Sequence, residues 1–216
     1  MYTLIIKLAS NLIYLIGRLL YGFKVEGLEN IPKEGPFILS SNDLSTMGSI
    51  FTTITVIRHV FSGQMETPVS FSEEYNWATE QWAWMFDIGG AIPVPRGRGQ
   101  AVSALLSAFR ALRQGKIVAL NPEGETSWEG RLVPAKPAVA WVALRLGAPI
   151  VLVVATKGAY DVWPKWAERP HLTGRFQVRV GKPFRLTDSP CSRVSDEMIV
   201  RANQRIMEEM TALVYR

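Results

Sequence analysis

Residues 2–23 are dominated by leucine, isoleucine and tyrosine, interrupted by Thr3, Lys7, Ser10, Asn11, Tyr14, Gly17, Arg18 and Tyr21. The interruptions recur at spacings of three and four, so at 3.6 residues per turn they share one face of a helix. Beyond Gly22 the period changes. Residues 23–27 alternate apolar and polar, as a short strand does, and Pro32, Gly35 and Pro36 mark a turn. Residues 37–41 read as a buried strand ending at Asn42, and 46–58 as a helix. A strand is expected at 68–71, a helix with Trp77 and Trp84 on its core side at 75–87, and a short strand at 91–94. The Ala- and Leu-rich run 100–114 predicts a helix closed by Gly115, 116–120 a strand, and 136–146 a helix ended by Gly147. The Val-rich run 149–155 predicts a strand buried on both faces, and the alternating run 175–180 an edge strand. Ser195 is placed to cap a final helix reaching about Leu213, with Asp196 and Glu197 in its first turn.

Strands alternate with helices throughout, which predicts an α/β domain with a mixed or largely parallel central sheet flanked by helices. The expected division is an amphipathic helix over residues 1–22 and one domain over 23–216, with no internal repeat, linker or low-complexity tract. A chain of 216 residues that is 48% hydrophobic supports one such core.

The N-terminal run matches the roughly 20 apolar residues a membrane span needs, but its polar stripe argues for another disposition. Lys7 and Arg18 lie about three turns apart and nearly superpose. That pattern suits a monotopic helix lying in the bilayer interface. The competing reading is a helix packed on its own domain or on a partner. The basic residues are scattered and no small-residue cleavage site follows, unlike a signal peptide.

A net charge of +5 and a pI of about 9.5 favour anionic partners: phospholipid surfaces, phosphorylated substrates or nucleic acid. No nucleic-acid motif accompanies the charge, so that partner is not expected. Cys191 is the single cysteine, and His59 and His171 are the two histidines. An internal disulfide is thereby excluded and a metal site is not expected, in keeping with a reducing cytosolic setting.

Four short segments carry candidate chemistry: Asn42 to Gly48, Gly90 to Arg96, Asn121 to Ser127, and Gly147 to Ile150. In this order they resemble the four blocks of the glycerolipid acyltransferase family, a likeness running from about residue 23 to residue 184. Members of that family move a fatty acyl group from acyl-CoA or acyl carrier protein to a lysophospholipid hydroxyl of the 1-acylglycerol-3-phosphate kind. The resemblance implies the family's α/β fold, a role in phospholipid biosynthesis and the acyl donor as co-substrate. It also implies a place on the cytoplasmic face of a membrane, and neither a metal nor a bound cofactor.

The family's first block reads Asn-His-x-Ser-x-x-Asp. Its histidine removes the proton of the attacking hydroxyl, and its aspartate fixes that ring's tautomer and orientation. In this chain Asp43 stands at the histidine position, Gly48 at the aspartate position, and Ser45 matches the serine. An ordinary carboxylate, with a pKa of about 3.9, is a much weaker base than imidazole. Two outcomes follow: Asp43 serves as the base, or the chain keeps the cleft as an inactive lipid-binding or regulatory protein. His59 and His171 lie outside the blocks and read as surface or capping residues. Ser45 can also simply cap the helix that follows it.

In the family, the second-block arginine and the third-block Glu-Gly hold the glycerol phosphate; here these are Arg96, Glu123 and Gly124. Arg96 follows a predicted strand beside Gly97, Arg98 and Gly99, just before a helix, where backbone N–H groups can approach an anion. The third block departs from the family at three places: Asn121 replaces an aromatic, Glu125 a threonine and Thr126 an arginine. Arg131 and Lys136 lie downstream and can restore positive charge. The fourth block, continuing to Val151, is expected to shape the acyl pocket or the sheet core.

Overall fold

A computed structural model describes residues 2–59, 65–69, 91–93, 100–172 and 174–216. The expected helix at 75–87 and the basic turn containing Arg96 lie outside the described residues. Among those described, six α-helices run α1 (Tyr2–Tyr21), α2 (Thr46–His59), α3 (Gln100–Arg113), α4 (Pro137–Leu146), α5 (Gly158–Val162) and α6 (Asp196–Tyr215). The strands are β1 (Lys24–Glu26), β2 (Phe37–Ser40), β3 (Met65–Val69), β4 (Ala91–Pro93), β5 (Ile117–Ala119), β6 (Ile150–Ala155) and β7 (Gln177–Val180). They form a seven-stranded sheet in the order β1-β7-β6-β2-β5-β3-β4. From β6 to β4 every pairing is parallel; β7 joins β6 antiparallel and carries β1 parallel to itself. This is the mixed, mostly parallel sheet that the alternation of elements implied.

Side-chain alternation divides the core between the two faces of the sheet. Ile38, Val118, Ile150, Leu152 and Val154 point toward α3, α4 and α6, where they meet Leu112, Val139, Ile206 and Met210. Phe37, Leu39, Ile117, Val151 and Val153 point toward α1, α2 and α5, where they meet Phe51, Ala159 and Val162. β6 is buried at every position, as its unbroken valine-rich run demands. Helix ends follow local chemistry. α4 has Pro137 in its first turn and Gly147 in the left-handed conformation at its close. α6 begins at Ser195, whose hydroxyl accepts the N–H of Met198.

Two features depart from the sequence reading. The run 175–180 was expected at an edge, yet β7 lies between β1 and β6, and β1 is the edge. Its alternation records two faces rather than a free side: Val178 and Val180 enter the core while Gln177 and Arg179 turn away. The short α5 and a 3₁₀ turn at Leu28–Asn30 carry no periodic signal and were not anticipated.

α1 packs antiparallel on α2 and does so through its polar stripe. Ser10, Gly17 and Tyr21 are buried and Tyr14 is half-buried, whereas Leu8, Leu12, Leu15, Ile16 and Leu19 are exposed. Gly17 is required there, because a Cβ would stand 2.2 Å from the Phe51 ring. Arg58 of α2 lies 3.7 Å over the Tyr14 ring and donates to Asn11 Oδ1 at 2.8 Å. No described helix is long and apolar enough to cross a membrane.

Candidate active site

β2, β5 and β6 run parallel, so their C-terminal ends open on one side of the sheet, where ligands meet α/β folds. Asn42, the second residue beyond β2, is fully buried and ties this opening together. Its Nδ2 donates to the Ala155 carbonyl and its Oδ1 accepts the Ala155 N–H, both at 2.8 Å. The adjacent Asp43 is thereby fixed at the cleft.

Asp43 is gripped by backbone and side chain together. Its N–H donates to Glu123 Oε1 at 3.1 Å, and its carbonyl accepts the Ser127 N–H at 2.8 Å. Its carboxylate is half-buried. Oδ1 accepts the Ser49 hydroxyl at 2.8 Å, and Oδ2 accepts the Thr126 hydroxyl at 3.0 Å. Each oxygen retains acceptor capacity beyond the one bond shown. Two hydroxyls thus orient this carboxylate.

Glu123 lies beneath this arrangement. It is 0% exposed, and Oε2 accepts the Val133 N–H at 2.7 Å. Both oxygens therefore bind the chain's own N–H groups, one under Asp43 and one in the loop after Arg131. Burial pushes its carboxyl above the usual range, more strongly than those two backbone bonds pull it down; the nearby Asp43 and Glu125 add to the rise. Its contact is with the framework, so it acts on the cleft through Asp43. Gly124 adopts a left-handed φ of 66°, and a Cβ there would come within 3.0 Å of Lys136.

Ser45 is fully buried and caps α2, its hydroxyl accepting the Gly48 N–H at 3.1 Å. Gly48 is also buried. A Cβ there would lie 3.1 Å from the Cβ of Ala155, 3.4 Å from the Ser45 hydroxyl and 3.7 Å from the Cβ of Ala159. The structure thus brings Asp43, Ser49 and Thr126 into one cluster, supports it with Glu123, and leaves Ser45 and Gly48 in the packing behind it. Ser49 was missed because it follows the last family position by one residue. Its one readable signal is a hydroxyl early in a helix whose preceding loop carries the acid.

Positive charge near Thr126 comes from a residue that the sequence did not single out. Lys165 Nζ donates to the Thr126 carbonyl at 3.2 Å and sits 4.3 Å over the Trp128 ring. Lys136 is engaged by Glu125 at 3.1 Å, the acid introduced by the altered third block. The histidines are occupied elsewhere. His59 Nε2 bonds the Ile31 carbonyl at 3.0 Å, at the end of α2 roughly 20 Å from its start. His171 Nδ1 bonds the Asp161 carbonyl at 3.0 Å. The fourth block opens β6 at the end remote from Asp43, where Ile150 and Val151 are buried on opposite faces; it builds the sheet core.

Comparison with known proteins agrees with this architecture. A family model described as Acyltransferase matches residues 22–156. The chain is 28% identical over 193 residues to the chloroplastic 1-acyl-sn-glycerol-3-phosphate acyltransferase BAT2 of Brassica napus, covering 88% of this chain and 51% of that protein. It is 25% identical over 197 residues to the 1-acyl-sn-glycerol-3-phosphate acyltransferase of Pseudomonas aeruginosa, covering 88% of this chain and 70% of the other. It thus spans about half the length of the first of these curated relatives. The crystal structure of the 1-acyl-sn-glycerophosphate (LPA) acyltransferase PlsC from Thermotoga maritima shares the fold, with a TM-score of 0.67 at 21% identity over 99% of this chain and 81% of that one.

Proposed function

The chain belongs to the acyltransferase family, and from that premise we propose that it moves a fatty acyl group from acyl-CoA or acyl carrier protein to the hydroxyl of a lysophospholipid of the 1-acylglycerol-3-phosphate kind. The observation that carries this reading is the oriented carboxylate of Asp43, with Ser49 on one oxygen and Thr126 on the other. In the reaction the acceptor oxygen attacks the thioester carbon while Asp43 takes its proton. The C–O bond forms, the C–S bond breaks, and the proton passes from Asp43 to the departing sulfur. A carboxylate is a weaker base than imidazole, so orientation has to supply more of the acceleration. Ser49 and Thr126 provide it, with Glu123 holding the Asp43 main chain from below. Lys165 offers a cation beside the acceptor's phosphate, and Arg96 a second one as the family resemblance implies.

The same reading places the chain on the cytoplasmic face of a membrane. α1 turns Ser10, Tyr14, Gly17 and Tyr21 inward and leaves Leu8, Leu12, Leu15 and Leu19 outward, an apolar face of the kind that lies in a bilayer interface.

A second reading has one specific observation in its favour. A Cβ at position 48 would stand 3.1 Å from that of Ala155, closer than ordinary contact, so the packing has closed on the glycine where the family's acid would stand. An inactive chain that binds lysophospholipid without turnover would need no such acid. Thiol release from palmitoyl-CoA, measured with and without lysophosphatidic acid, separates the two. Transfer predicts acceptor-dependent release that is lost in Asp43→Asn. Binding of the acceptor with no release from the unaltered chain, using either donor, would replace transfer with the binding role.

A further inference from the structure

We propose that a basic cavity at the β1 edge of the sheet receives the phosphate of an anionic phospholipid, a second lipid site separate from the Asp43 cleft; this rests on the reading that α1 lies in a bilayer. The cavity, about 740 Å³, is enclosed by the end of α1, the starts of β1, α5 and β7, and the end of α6. Arg18, Lys24, Lys157, Arg175 and Arg179 line it, and no acidic side chain appears among its described lining residues.

These cations differ in what already engages them. Arg179 forms the floor: its Nε meets Glu26 at 3.2 Å, and its other nitrogens donate to the Leu213 carbonyl and the Gln177 side chain. Arg18, Lys24, Lys157 and Arg175 are exposed around it. Two stretches distant in sequence, residues 18–24 and 157–179, thus converge cations on one concavity. Their mutual repulsion costs stability unless an anion sits among them.

The rim identifies the anion's carrier. Leu19 and Leu20 line the cavity and also end the outward apolar face of α1, where Leu19 is 75% exposed. An in-plane helix buries such a face about 5–10 Å into the boundary between headgroups and acyl chains. The cations beside Leu19 then stand at phosphate depth. Thr156, also in the lining, directly follows Ala155, which Asn42 grips, so the cavity opens at the same end of the sheet as the Asp43 cleft. A phospholipid seated there would hold that cleft against the bilayer that supplies its acceptor.

The test is cosedimentation of the full chain with vesicles of phosphatidylcholine alone and of phosphatidylcholine mixed with phosphatidylglycerol. Each basic residue near an anionic surface changes partitioning about fivefold. Lys24→Gln/Arg175→Gln should therefore weaken binding to the mixed vesicles by about 25-fold, leaving binding to neutral vesicles unchanged and the thermal midpoint no lower than that of the unaltered chain. Undiminished binding of this variant to the mixed vesicles would overturn the site while leaving the α1 reading intact. Leu12→Asp/Leu15→Asp tests α1 separately and should lose both vesicle types. Failure of the unaltered, folded chain to bind either vesicle removes both readings. Coenzyme A and inorganic phosphate should not release the protein from mixed vesicles at matched ionic strength. Release by coenzyme A alone would make the cavity a nucleotide site, and release by phosphate alone a free-anion site; either overturns the proposal.

Discussion

Glu123→Gln discriminates between two roles for the third-block acid. The family resemblance has this residue hold the acceptor; the structure buries it under Asp43, with Oε1 on the Asp43 N–H at 3.1 Å and Oε2 on the Val133 N–H at 2.7 Å. Glutamine keeps the shape but offers one acceptor oxygen and one NH₂ donor. In either orientation one backbone N–H faces another donor in a place with no water access. Such a group costs about 1–3 kcal/mol, and the surviving bond loses its charge assistance. The neutral amide recovers some of the burial penalty carried by the carboxylate. A net loss of about 2–3 kcal/mol corresponds to a fall of roughly 4–12 °C in Tm for a chain of this size. If the Asp43 N–H is the group released, the carboxylate proposed as base shifts, and displacements near 1 Å cost about 100-fold. The expected kinetic signature is a kcat lowered about 10- to 100-fold with the acceptor KM unchanged. A raised KM at unchanged kcat would show that Glu123 touches the acceptor, and would refute the framework role.

The same variant has a pH signature. Burial raises the Glu123 carboxyl above its ordinary 4.5. Between 4.5 and the raised folded value, the folded chain holds a proton that the unfolded chain has released. Stability therefore falls as pH rises through that window. Glutamine does not titrate, so the gap in Tm between the native chain and Glu123→Gln should narrow as pH rises from about 4.5. A gap that widens would mean that the two backbone bonds outweigh burial.

Three further outcomes follow from the packing. Ser49→Ala removes the 2.8 Å bond to Asp43 Oδ1 and should lower kcat about 10- to 100-fold, the scale of one hydrogen bond to a charged group; an unchanged rate would leave Thr126 as the sole orienting group. Gly48→Asp forces a Cβ to 3.1 Å from that of Ala155 and buries a carboxyl, costing about 3 kcal/mol or more. Denaturant titration should show this cost reduced when Ala155→Gly is added, and strict additivity of the two changes would contradict the contact. Gly17→Leu places side-chain atoms inside the Phe51 ring, 2.2 Å from the Cβ position, and should loosen α1 so that limited proteolysis near Gly22 accelerates; unchanged cleavage would mean α1 docks by other contacts.

Periodicity carried most of the architecture into view. The three-four spacing of polar residues located α1, the all-apolar run located β6, and Gly147 located the end of α4, because each is a local property of the chain. The position of β7 was not local. An alternating strand looks the same at an edge or inside a sheet when one face is partly wet, and only the pairing with β1 settles the difference. In the cleft, Asp43 and Thr126 were legible as substitutions in known blocks. Ser49 and Lys165 were not: each reaches the cluster through a turn of helix or a loop whose path is set by tertiary packing.

α1 shows how a correct pattern can suggest the wrong partner. A polar stripe on an apolar helix is ordinarily assigned to water or headgroups, with the apolar side facing protein or hydrocarbon. Here the stripe is made largely of residues that suit close packing. Ser10 and Gly17 are small, Tyr14 and Tyr21 bring rings with one polar atom, and Asn11 binds Arg58 at the margin. Gly17 in particular admits Phe51 against the helix backbone, which a leucine at that position would prevent. The stripe is therefore the docking face, and the leucines are left for another apolar phase. Packing on the domain thus accounts for the stripe, and the proposed bilayer contact concerns only the opposite face of Leu8, Leu12, Leu15 and Leu19.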